Sequence, residues 1–193
     1  MVVLNSTLKG FNSTRKMELQ LHLEFELDDQ RFTVETLAEN FESHQDQLAD
    51  IVREEGRILL QNEAIKDSGD YSEPLIRLAG QWLRKLQWII AGDSETIPFR
   101  NSEQCFAFMP AGGGVEVSLF EGTELEVEEY IFEPVTVRLE TLVVSSLSMG
   151  DALIGLLEKI DASLLESDED CRDLKADLEE SKKVWHNYEL HRR

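Results

Sequence analysis

The 193-residue sequence predicts an α+β fold, an antiparallel sheet of about five strands packed against helices in the order β-α-α-β-β-β-β-α-α. Three observations predict it. Residues 17–28 alternate apolar and polar side chains without a slip, four strand-like runs cluster within residues 103–146, and helical spacing fills the chain on either side of that cluster. Strands that cluster, rather than alternating singly with helices, argue against a parallel α/β sheet.

Residues 1–16 are polar and mildly basic (Lys9, Arg15, Lys16) and read as a flexible leader to a single domain over 17–193. In the first strand Met17, Leu19, Leu21, Leu23, Phe25 and Leu27 face the core. Glu18, Gln20, His22, Glu24, Glu26 and Asp28 face water. Residues 36–61 switch to helical spacing, with Leu37, Phe41, Leu48, Ile51, Val52 and Leu59 on one face and Thr36 with Glu39 as a capping box. After a turn at Asp67-Ser68-Gly69-Asp70, Ser72 and Pro74 open a second helix that ends at Gly92.

Strands over 105–109 and 115–120 flank Pro110-Ala111-Gly112-Gly113-Gly114 as a hairpin loop. Glu121-Gly122-Thr123 makes the next turn, and strands over 124–132 and 135–146 follow, split at Pro134. Ser148 and Asp151 then cap a helix carrying Leu153, Leu156, Leu157, Ile160 and Leu164. A last helix over 168–190 has a narrow seam of Cys171, Leu174, Leu178, Trp185 and Tyr188, and residues 149–191 form a C-terminal helical hairpin.

The charge is unusual: 39 acidic against 19 basic side chains, net −20. Such a surface repels nucleic-acid phosphates and anionic lipids and attracts cations, so neither nucleic acid nor a membrane is the expected partner. Two cysteines 66 positions apart, the lack of a signal peptide and the lack of a long uninterrupted apolar run point to free thiols and a cytoplasmic location.

No catalytic, cofactor or metal motif emerges. Gly112-Gly113-Gly114 is followed by a strand, whereas a phosphate loop opens a helix. Cys105 and Cys171 lack CxxC partners, and His186 and His191 are five apart, off a common helical face. His44 and Glu55 both project onto the apolar stripe of the first helix; a hydrogen-bonded core histidine and an edge glutamate are the simpler reading, and a buried acid–base pair the enzymatic alternative.

Two features suit binding. Residues 74–92 carry three basic residues and no acid, with Arg84 and Trp88 one turn apart on the polar side; pairing of these arginines with acidic neighbours competes with a Trp/Arg hot spot. Glu121, Glu124, Glu126, Glu128, Glu129 and Glu133 crowd one turn and the next strand, with Glu124, Glu126 and Glu128 on one face and Arg138 on the neighbouring strand offering partial relief.

The leading expectation is therefore an acidic protein that binds a cationic protein partner through those glutamates, with Arg84 and Trp88 as anchors. Its charge and size resemble those of small acidic bacterial immunity proteins, which inhibit toxins, often nucleases; the resemblance is one of class and rests on no shared motif. The alternatives are a scaffold forming a homo-oligomer through the C-terminal helix, and an enzyme centred on His44 and Glu55.

Overall fold

In the computed structural model of the chain, which describes residues 19–65 and 68–192, the opening alternation becomes β1 (Gln20–Leu27). Leu21, Leu23, Phe25 and Leu27 are buried there, and the polar residues between them face outward. Residues 1–16, Met17, Glu18 and Asp67, which belong to the expected leader, first strand and turn, lie outside the described residues. The architecture is α+β, but its strands form two antiparallel four-stranded sheets around one continuous core.

The first sheet has the order β2-β1-β3-β4, with β2 at Gln30–Thr33, β3 at Glu55–Gln61 and β4 at Glu73–Pro74. Most of the helix expected over 36–61 is absent. In its place stand two short helices, α1 (Val34–Glu39) and α2 (Phe41–His44), a 3-10 turn and β3. Thr33, not Thr36, caps α1, its hydroxyl accepting from the Thr36 amide. The reason is visible in the sequence: residues 55–61 also alternate, and burial of Gly56, Ile58 and Leu60 beside β1 wins over helical spacing. Gly56 is needed for close approach, because a Cβ there would collide with the Glu24 carbonyl of β1.

Beyond the two-residue β4, side chains complete the edge of β3. Its outward backbone groups recur with period two at residues 56, 58 and 60. Gly56 meets Glu73; the Tyr71 hydroxyl accepts from the Ile58 amide (3.0 Å) and donates to its carbonyl (2.9 Å); the Ser68 hydroxyl does the same for Leu60 (3.2 and 2.8 Å). Buried Glu73 in turn accepts from the amides of Arg100 and Asn101. An edge that would otherwise template association is thereby covered.

The second sheet is a meander, β5 (Glu95–Pro98), β6 (Gln104–Ala111), β7 (Gly114–Thr123) and β8 (Glu126–Arg138). Three expected boundaries move. The β6–β7 loop tightens to Gly112-Gly113, both at positive φ, as a two-residue hairpin turn requires. Glu121-Gly122-Thr123 stays inside β7, where Gly122 adopts φ 138° beside a bulge. Pro134 does not split β8, since an edge strand tolerates a missing amide donor on its solvent side.

The strand expected over 135–146 ends at Arg138 and continues as α4 (Leu139–Asp161), so Ser148 lies in mid-helix instead of capping. By length and composition α4 is apolar enough to cross a membrane; in this fold it packs against β1, α1, α3 and α6.

Helix α3 (Leu75–Ala91) forms over nearly the expected span, burying Leu75, Ile76, Leu78, Ala79, Trp82, Leu83, Leu86, Ile89 and Ile90. Ser72 does not cap it: Pro74 holds the N-cap position and the Ser72 hydroxyl donates to Glu26 of β1. Trp82 meets Phe106 and Phe108 edge-on and donates to the Ser146 hydroxyl of α4 at 2.8 Å. After the short α5 (Leu164–Ser167), α6 (Glu169–Arg192) buries Cys171, Leu174, Leu178 and Trp185 of the expected seam, together with Ser181, against the rest of the chain, and leaves Tyr188 half-buried. Ser181 donates to the Leu83 carbonyl, and Gly80 sits against the Leu174 backbone, so the two helices approach closely.

Candidate interaction surface

The strands β7 and β8 run past the sheet as a two-stranded ribbon. From residue 121 to residue 130 every residue except Gly122 is exposed, so neither face of this ribbon is covered. β6 pairs with β7 as far as Glu121, so at about 3.3 Å per residue the arms project roughly 10 Å beyond the sheet. Three register shifts, between Val117/Leu119, Leu119/Phe120 and Glu121/Gly122, re-aim it. Its base is fixed: the Phe120 and Tyr130 rings meet at 6.3 Å, and the Gly122 amide donates to the Glu103 carbonyl at 2.7 Å.

At its tip Thr123 accepts from the Leu125 amide (3.3 Å), turning the chain and leaving Leu125 98% exposed. Val127 near the tip and Tyr130 at the base are also exposed. All six expected glutamates, Glu121, Glu124, Glu126, Glu128, Glu129 and Glu133, are on this ribbon or its base, and all are exposed. Glu124 lies in the tip turn, and Glu121 stands directly opposite Glu129, a like-charge pair that costs stability. Arg138 gives no relief, because it pairs with Gly114 at the far end of β8.

What separates this surface from the other acidic one is its lack of cations. On β1, Glu24 meets Arg57 at 2.8 Å and Glu26 meets Arg31 at 3.7 Å, so the basic residues of β2 and β3 neutralise that face. Residues 115–137 contain seven glutamates and no lysine or arginine. Among the described residues none of the six ribbon glutamates takes part in an ion pair.

Arg84 and Trp88 are elsewhere. The Arg84 guanidinium is held by Asp173 (3.3 Å) and Asp177 (2.9 Å) of α6, which raise its pKa chiefly through the Asp177 hydrogen bond. Lys85 is likewise paired, to Glu95 at 2.7 Å. Trp88 is 54% exposed. Both anchors sit toward the C-terminal half of α3, whose end borders the Gly112-Gly113 turn in a groove of about 520 Å³. The ribbon tip is at the opposite end of the ten-residue β7, on the order of 30 Å away. Arg84 and Trp88 therefore do not belong to the acidic surface.

No family model, curated protein or solved structure matches this chain.

His44 and Glu55 also part company. His44 ends α2, its Nδ1 2.8 Å from Gln47 Oε1 and its ring 4.7 Å from that of Phe32, whereas exposed Glu55 opens β3 and accepts from Asn101 Nδ2. The helix that would have aligned them is broken, which removes the geometric reason to pair them. The two thiols are buried: burial, helped by the Asp168 charge, pushes Cys171 up to about 12, and burial with a smaller contribution from Glu124 raises Cys105. Thiols held neutral in this way are poor nucleophiles.

The sequence missed Leu125, Val127 and Tyr130 as surface residues. With the turn placed at Gly122, Leu125 falls inside a strand; the available signal was Thr123, whose hydroxyl serves the turn two residues on.

Proposed function

We propose that this chain is a protein-binding domain that recognises a cationic protein partner through the β7–β8 ribbon. The observation that carries the reading is the set of exposed glutamates without cations around an almost fully exposed leucine. A fold that neutralises β1 with Arg31 and Arg57 yet leaves Glu121 opposite Glu129 keeps an electrostatic cost at one place. A basic partner would relieve that cost, and Leu125 would supply the apolar contact on which long-range attraction converges. Neutralisation of that partner, as an immunity-type inhibitor neutralises a toxin, is the finer form of the proposal and rests on charge and size alone.

The apolar seam of α6, the basis of the homo-oligomer alternative, is already buried against this chain's own helices, so it offers the reading no support. The test compares capture from the host lysate by immobilised wild-type chain and by the Glu124→Gln/Glu126→Gln/Glu128→Gln variant. A protein retained by the wild type at low salt, released at high salt and lost with the variant supports the proposal. Equal retention by both, or no retained protein, overturns it.

A further inference from the structure

The ribbon has a backbone edge as well as side chains. β8 is the outermost strand of its sheet and, at thirteen residues, the longest strand described. Among the described residues no strand pairs with its outer side, and residues 126–130 are exposed on both faces. In an antiparallel pair alternate residues turn their amide and carbonyl groups away from the partner strand, so this stretch offers unpaired donors and acceptors to a further strand. The edge of β3 beyond β4 is closed by Tyr71 and Ser68; among the described residues β8 has no such cover over residues 126–130.

Charge decides what this edge admits. A second copy would bring Glu126, Glu128 and Glu129 against the same three carboxylates, and like charges on adjacent strands repel. A neutral strand would leave those carboxylates without partners. A lysine- or arginine-bearing strand meets one at each polar position, while Val127 and Tyr130 offer apolar contact.

We propose that residues 126–130 receive an extended basic segment of the partner as a fifth strand of the second sheet. The inference rests on the proposed binding of a cationic protein, and specifies that recognition runs through backbone pairing as well as charge. Proline within the segment is then excluded, because it removes a ladder donor. Alternating basic and apolar residues are favoured, because they set the basic side chains on the face of Glu126 and Glu128 and the apolar ones on the face of Val127.

The probe is a capped peptide of about ten residues that alternates valine and lysine, compared with one of equal charge in which two central valines are proline. Binding to the full chain is read by fluorescence anisotropy at low salt, with amide hydrogen exchange located by residue. The expected result is at least about tenfold weaker binding of the proline peptide, and slowed exchange confined to residues 126–130 with the alternating one. Equal binding of the two peptides overturns strand addition while leaving a charge-only version of the proposed function standing. Binding of neither peptide, or protection elsewhere, also overturns strand addition, and the lysate comparison then decides the broader reading separately.

Discussion

Replacing Tyr71 with phenylalanine tests the edge closure that separates the covered strand from the open one. The ring is buried and packs at 4.5 Å from Phe99 and 6.0 Å from Phe106, contacts that phenylalanine keeps. Only the hydroxyl is lost, and with it two hydrogen bonds, one accepted from the Ile58 amide and one donated to the Ile58 carbonyl. Each bond contributes about 0.5–1.5 kcal/mol net, and the orphaned buried backbone groups place the loss in the upper part of the roughly 1–3 kcal/mol that the two bonds span. A loss of about 2–3 kcal/mol is expected, which lowers Tm by roughly 4–12 °C in a domain of this length.

Urea unfolding measures the total, and amide exchange locates it: the Ile58 amide should lose protection while that of Leu60, held by Ser68, changes least. Burial also raises the Tyr71 pKa above the ordinary tyrosine value, with the Ile58 backbone bond opposing. The unfolded chain releases that proton near pH 10 and the folded chain retains it, so this stabilisation is complete below about pH 10 and falls as pH rises further. Tyr71→Phe should remove that alkaline slope. A loss below about 0.5 kcal/mol with the slope intact would refute the idea that side chains close this edge.

Other outcomes follow from the same contacts. Arg57→Ala should cost about 2–4 kcal/mol, since it strands half-buried Glu24 and removes the Arg57 bond to the Gly69 carbonyl, and a chemical-denaturation midpoint close to wild type would contradict this. Arg84→Ala, where the guanidinium itself is 53% exposed although Asp177 is half-buried, should cost about 1 kcal/mol, less than Arg57→Ala, by the same measurement. Cys105 and Cys171 should resist a thiol-specific reagent at pH 8 and react stoichiometrically in denaturant; rapid labelling of the native chain would be inconsistent with their burial. The Glu126→Gln/Glu128→Gln/Glu129→Gln variant should self-associate more than the wild type in sedimentation, because removing like charges uncovers a long strand edge; an unchanged monomer fraction would show that charge does not guard it.

Much of the fold was legible because burial and periodicity agreed. β1 keeps the expected alternation, and α3 spans nearly the whole of the second expected helix. Legibility failed where two periods competed. Residues 51–61 fit a helical stripe if Leu59 is taken as apolar anchor, but alternation at Gly56, Ile58 and Leu60 decides the structure once β1 lies alongside. It failed again at Arg138, where the apolar residues after β8 suit a strand as well as the helix they form. For the site, the glutamates were visible as a run, but their freedom from cations was not. Arg31 and Arg57 reach Glu26 and Glu24 through strand pairing, while Arg138, close in sequence to the ribbon, ends up at the opposite end of β8. The pairing of Arg84 and Trp88 with the acidic run assumed a proximity that the length of β7 rules out.

The central claim is that the β7–β8 ribbon is the recognition surface and that its carboxylates act through charge. It is tested most directly by the Kd of the purified partner for wild-type chain and for Glu124→Gln/Glu126→Gln/Glu128→Gln, each across a salt series. At low salt the variant should bind about tenfold more weakly, corresponding to about 0.5 kcal/mol per carboxylate, with the difference shrinking as salt rises. Equal affinities and equal salt dependence for the two chains would contradict the account.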